Sequence, residues 1–229
     1  MRAVSQIDWR MAAIYTNWLH NDKRTDRAAF LDGAYNVATF GYIGSAFTDQ
    51  VAHHPGARYW IPTWDEWIKA AHFDPNRSGP SQPGFWPYST TSDTVAFGGP
   101  PASRGGVGQA NFGWEASAQF GSPYTVPLGA YPTVQSPWGL LDTAGATAEW
   151  TETLFTTSGF DRYRIVDGSA YGTTQFFAVA DQIRTFHAGE FPSISGIDYG
   201  FRIASSVPSP SATLALAFSI TLVGSRRRP

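Results

Sequence analysis

The chain contains no cysteine. That absence excludes disulfides, thiolate metal centres and thiol nucleophiles together. Charge is sparse as well: Asp, Glu, Lys and Arg make up 15% of the 229 residues, low for a globular protein. The net charge of −2 gives no reason to expect nucleic acid. Three of the sixteen basic residues are Arg226, Arg227 and Arg228 at the C-terminal end, which leaves thirteen against eighteen acidic ones elsewhere. The opening "MRAVSQIDWRMAAIYTNWLHN" lacks the apolar core of a signal peptide. What the chain does have is aromatic residues at 15%, nine of them Trp, together with 23 Gly and 16 Pro. That mixture implies one loop-rich domain whose loops are pinned by rings, since a disordered chain would be short of aromatics.

Two helices are legible. In the first, Ile7, Met11, Ile14 and Trp18 recur at helical spacing, and Ser5 with Asp8 forms a capping pair. In "IPTWDEWIKAAHF", Thr63 is an N-cap, Glu66 completes a capping box, and Trp64, Trp67, Ile68 and Ala71 share an apolar face. Between them, "DGAYNVATFGY" alternates like a short strand or hairpin, and "HHPGARYWIP" reads as a turn into a buried strand. Residues 76–131 read as irregular loops held down by Phe85, Trp86, Tyr88, Phe112 and Trp114. "YRIVDGSAYG" and "YGFRIAS" read as late, central strands.

Common catalytic patterns are missing. His53, His54 and His72 are too scattered for a zinc motif of the HExxH kind. Ser169 in "DGSAYG" is not in a GxSxG elbow, and "GGVGQANFG" does not open a helix after a strand in the phosphate-binding manner. His187 and Glu190, with Asp181 or Arg184, form a possible titratable group, against the plainer reading of a loop histidine with its partners satisfied.

Five segments carry a resemblance. "VSQIDWRMAAIYTNWLH", "YWIPTWDEWIKAA", "GLLDTAGATAEWTE", "RIVDGSAYG" and "YGFRIAS" are similar, in order and spacing, to the motifs of the formylglycine-generating enzyme (sulfatase-modifying factor) family. The resemblance runs from about Val4 to Ala204. It implies an α+β fold, a loop-rich variant of the C-type lectin fold with two helices on small antiparallel sheets. It also implies that strands normally preceding the first helix are missing here, and that the reading frame upstream encodes them with a signal peptide. Residues 1–205 would be the domain and 206–229 a tail. That tail resembles a PEP-CTERM sorting signal: "VPSPS" with Pro208 and Pro210, an apolar run over 212–224, then Arg226, Arg227 and Arg228. A buried core helix is the plainer reading of the same run, which at thirteen residues spans only ~20 Å.

In the family, the segment matching 140–150 wraps a calcium ion. Its ligands fall on the side chains of Asp142 and Glu149 and the carbonyls of Gly145 and Thr147. Calcium takes several oxygens, and a tight loop with a glycine can turn carbonyls inward. The alternative is that Asp142 caps a turn while Glu149 sits on the surface. The family's usual Asn is Ala146 here, and its Trp is Ala148. A second calcium site would use Asn111 and the Phe112 carbonyl.

The family's oxidation of a sulfatase cysteine uses copper held by two thiolates, and those positions fall near Thr173 and Ala178. Neither can replace a soft thiolate, so the resemblance implies calcium without copper. Three functions remain open. One is an exported, membrane-anchored bacterial surface protein that binds a peptide, glycan or matrix ligand in a groove lined by Trp86, Trp114, Tyr171 and Phe176, its tail cut by a sorting protease. The others are a divergent metal-dependent enzyme of oxidoreductase type and a purely structural surface protein.

Overall fold

The computed structural model describes residues 4–44, 46–101, 110–111, 123–157, 160–172, 183–196 and 198–206. Helix α1, Trp9–His20, begins where the Asp8 carboxylate accepts the Met11 N–H at 2.6 Å. Its buried face is Trp9, Ala12, Ala13, Thr16 and Asn17, rotated from the expected stripe, and Met11 stands 50% exposed. The shift has a packing reason. Two alanines let the helix backbone approach the core closely, and Trp9 fills the space a row of Ile and Met would have taken. The buried polar groups are paired: Thr16 donates to the Ala13 carbonyl, and Asn17 exchanges two hydrogen bonds with the Tyr35 backbone.

A short helix α2, Ala28–Leu31, follows. The stretch expected as strand or hairpin is instead a 3-10 turn at Val37–Thr39, capped by the Asn36 side chain. A small hairpin, β1 (Tyr42–Ile43) with β2 (Ala46–Phe47), comes just after it. Strand β3, Tyr59–Trp60, leads into helix α3, Trp64–His72, whose Thr63–Glu66 capping box is present in both directions. Trp67, Ile68 and Ala71 are buried and Trp64 packs against them, as the periodicity implies. Strands β4 (Phe73–Asp74) and β5 (Gly84–Phe85) pair next. In the loops that follow, Tyr88 is buried while Phe85 is exposed, and Phe112 and Trp114 lie outside the described residues.

The main sheet holds β6 (Ala148–Thr157), β7 (Phe160–Asp167), β8 (Ala188–Glu190) and β9 (Tyr199–Phe201) in the order β8-β7-β6-β9. β6, the longest strand, pairs antiparallel with β7 and parallel with β9, so this sheet is mixed rather than antiparallel throughout. The last strand, β10 (Ala204–Ser205), returns to pair with β3. The core lies between α1 and the sheet: Trp9, Ala12, Ala13, Tyr35, Ile61, Trp150 and Val166 are all buried. Arg164 is fully buried, its guanidinium 3.8 Å from the Trp9 ring and bonded to the carbonyls of Gln50, Val51 and Glu152. Carbonyl dipoles and a ring face there replace the water a buried guanidinium gives up.

Candidate functional site

Two registers place one carboxylate at the centre of the main sheet. Glu149 lies opposite Asp167 on β7 and opposite Gly200 on β9. Helix α3 packs across β6 from above, and the Trp67 indole donates to Glu149 Oε2 at 2.7 Å. Arg202, just past β9, donates to the same oxygen through Nε at 2.7 Å. Glu149 is thus 6% exposed and doubly held, which corrects the alternative that left it on the surface.

The loop before β6 coils tightly. Asp142, Gly145 and Ala146 all adopt left-handed conformations, with φ of 56°, 83° and 64°. Gly145 is required twice over. A Cβ there would lie 2.7 Å from the Asn111 carbonyl oxygen, and the left-handed φ disfavours any side chain. Asn111 is buried and its carbonyl accepts the Ala146 N–H at 2.8 Å, so the candidate second-site residue is tied to this loop by its main chain. Phe112, whose carbonyl that expected site would also use, lies outside the described residues.

Accounting for the loop's oxygens shows which are in use. The Leu141 and Asp142 carbonyls accept from Arg202 Nη2 at 2.9 and 2.7 Å. The Thr143 carbonyl accepts from Ser89, and that of Ala146 from the Tyr171 N–H. Asp142 Oδ2 accepts the Gly129 N–H at 2.7 Å. Five oxygens of this loop and of Glu149 accept none of these bonds among the described residues: Asp142 Oδ1, Glu149 Oε1 and the carbonyls of Ala144, Gly145 and Thr147. These oxygens lie within eight residues of chain, and each carboxylate has one oxygen engaged and one not. The donors are all hard oxygens. No group of three or more His, Cys, Asp or Glu that could hold a metal occurs among the described residues.

Asp167, opposite Glu149, was not singled out in the sequence. It is 4% exposed, and burial pushes its carboxyl up to about 7, with the Glu149 charge adding to the effect. The Trp64 indole at 2.5 Å and the Gly168 N–H act against that rise. Trp64 and Trp67, one turn apart on α3, therefore each hold one carboxylate of the pair. Arg202 was legible only as the Arg of "YGFRIAS", and nothing in the local sequence says that it reaches back to the loop.

The titratable group around residue 187 does not converge. His187 packs its ring on Trp64 and Phe155, Glu190 accepts from the Tyr199 hydroxyl, and Arg184 lies over the Phe85 ring. The expected aromatic groove is only partly described. Trp86 is half-buried under the Arg77 guanidinium, and Tyr171 is buried against Tyr124 rather than offered to a ligand. Trp114, Phe176, Asp181, Thr173 and Ala178 lie outside the described residues, as do Pro208, Pro210 and Arg226–Arg228.

A cleft of about 830 Å³ opens beside the loop. Its walls are apolar residues of α1 and of the segments around Leu128, Leu140 and Ile203, and its floor carries Asp142, Glu149 and Arg202.

Residues 2–207 match the sulfatase-modifying factor enzyme 1-like domain. The chain belongs to this family. Two solved structures share the fold of this sulfatase-modifying factor domain. CarF, known from a crystal structure, superposes with a TM-score of 0.53 at 21% identity, over 90% of this chain and 67% of its own. Variable protein 1 of Treponema denticola superposes with a TM-score of 0.53 at 16% identity, over 89% of this chain and 71% of its own. No curated protein matches the chain. The mixed α+β architecture, with few helices and small sheets, is that of the family.

Proposed function

We propose that this sulfatase-modifying factor domain is a calcium-holding binding module without the family's oxidative activity, displayed at a bacterial surface. The observation that carries the reading is that all four oxygens the family resemblance implies, Asp142 Oδ1, Glu149 Oε1 and the Gly145 and Thr147 carbonyls, are among those that accept no hydrogen bond from the described residues. Calcium bound there would supply the positive charge that two carboxylates and two carbonyls await, and would lock the loop against β6 and α3. Membership of the family, through the resemblance, implies a variant of the C-type lectin fold. A ligand that binds only the folded state adds about RT ln(1 + [L]/Kd), ~2.7 kcal/mol at a hundredfold excess over Kd. Melting in calcium should therefore exceed melting in chelator by several degrees, with Asp142→Ala abolishing the gap. Equal melts of the unsubstituted protein would refute the site.

The absence of cysteine supports the non-catalytic half of the proposal. By the resemblance, the two soft thiolates that would hold copper fall near Thr173 and Ala178, in a chain that has no cysteine. Incubation with a sulfatase-type cysteine peptide and copper should yield no aldehyde by mass spectrometry, and an aldehyde product would overturn the reading. For display, 206–229 would act as the sorting tail, with Pro208 and Pro210 breaking any helix and Arg226–Arg228 staying cytoplasmic. Fusing these residues to a secreted reporter tests this. A reporter that is never membrane-associated, or whose release ignores replacement of the arginines by serine, would remove the surface assignment.

A further inference from the structure

We infer that the cleft beside the metal loop binds a single-chain amphiphile with a carboxylate head, and that calcium sets its affinity; this rests on the calcium reading above. The cavity, about 830 Å³, is of ligand size. Its walls are unusual for a surface: Met11, Tyr15, Leu128 and Ile203 are each 42–50% exposed, yet all four line the same concavity. Apolar side chains left accessible around one cleft, while Trp9 and Ala13 of the same helix pack inward, suit an apolar ligand body.

The floor selects the head. Two carboxylates against one guanidinium leave the empty floor one negative charge, and a divalent cation reverses it to one positive charge. Arg202, which lines the cleft, spends Nε on Glu149 and Nη2 on the loop carbonyls and leaves Nη1 without a hydrogen bond among the described residues. Asp142, Thr147 and Glu149 belong at once to the leftover oxygen set and to the cleft lining, so the metal would sit within reach of the ligand head. A carboxylate head would meet both the cation and Nη1, while its chain lies along Met11, Tyr15, Leu128 and Ile203.

The test uses 11-(dansylamino)undecanoic acid and its primary amide with the full chain, following dansyl emission and, on the same samples, the melting temperature. The acid should bind in calcium and at least tenfold more weakly in chelator, and the amide should show no calcium dependence. Met11→Glu and Ile203→Glu, at exposed positions that spare the fold, should each weaken the acid at least tenfold, while Tyr42→Glu on the remote hairpin should not. Calcium that raises the melting temperature without probe binding would sink this inference and leave the calcium reading standing. Probe binding to the cleft with no calcium effect on melting or affinity would sink both. A dimer that Met11→Glu dissociates would assign the apolar wall to a second copy of the chain and overturn the proposal.

Discussion

Arg202 Nε lies 2.7 Å from Glu149 Oε2, and the carboxylate is almost wholly buried while the guanidinium is about a quarter exposed. The same guanidinium holds the Leu141 and Asp142 carbonyls, so one side chain fastens the end of β9 to both the loop and the centre of β6. Removing the cation strands a buried charge, which in comparable sites costs about 3–5 kcal/mol. Arg202→Met is expected to lower stability in urea by that order in chelator, and by less in calcium. Arg202→Lys should recover only part, because one ammonium cannot reproduce the planar fork.

The left-handed pair in the loop makes two predictions of opposite sign. Gly145→Ala should cost more than about 2 kcal/mol, because left-handed strain alone is ~1–2 kcal/mol and the new methyl meets the Asn111 backbone. At the next residue, Ala146 is already held at φ 64° by hydrogen bonds to both its N–H and its carbonyl. Ala146→Gly or Ala146→Asn should relieve roughly 1 kcal/mol. Paired thermal melts check both, and a gain of about 2–4 °C is the scale for a chain of this size.

Two buried groups pull the pH profile in opposite directions. Burial pushes His72 down to about 4 while its Nδ1–H donates to the Trp86 carbonyl, so its neutral form stabilises the fold above pH 6.5 and that stability is lost as pH falls towards 4. Asp167, raised to about 7, gives stability that is complete below pH 3.8 and lost as pH rises through 7. Between pH 4 and 6.5 the two slopes offset each other. His72→Gln should therefore expose a stability that falls with pH, and Asp167→Asn one that rises. Urea melts in chelator at each pH read the slopes without a varying metal occupancy, and unchanged profiles would refute both assignments.

Much of this arrangement was legible where the determinant is local. The Thr63–Glu66 box and the Trp67, Ile68 and Ala71 face are set within one helix, and they appear as read. The set Asp142, Gly145, Thr147 and Glu149 came from the family resemblance and not from a local pattern. What escaped depends on distant partners. The α1 face was misassigned because Met11 and Ile14 outrank Ala12 and Ala13 in hydrophobicity, whereas close approach to Trp150 and Tyr35 favours the small residues. β6 was hidden because its first residues belong to the loop motif, and its parallel pairing with β9 is not written in either segment. Asp167 takes its raised pKa from burial by α3 and β6, which its own strand does not announce.

The parallel pairing of β6 with β9 has a kinetic consequence. Glu149 meets Trp67 from 82 residues upstream and Arg202 from 53 residues downstream, so its surroundings close only when helix and final strand have both docked. Contacts this distant in sequence carry a large loop-closure cost and form late. A cation held there reports on the finished molecule and acts after the folding barrier. Calcium should then slow the unfolding limb of the chevron and leave the refolding limb unmoved. Refolding that accelerates with calcium would place the loop in the nucleus instead.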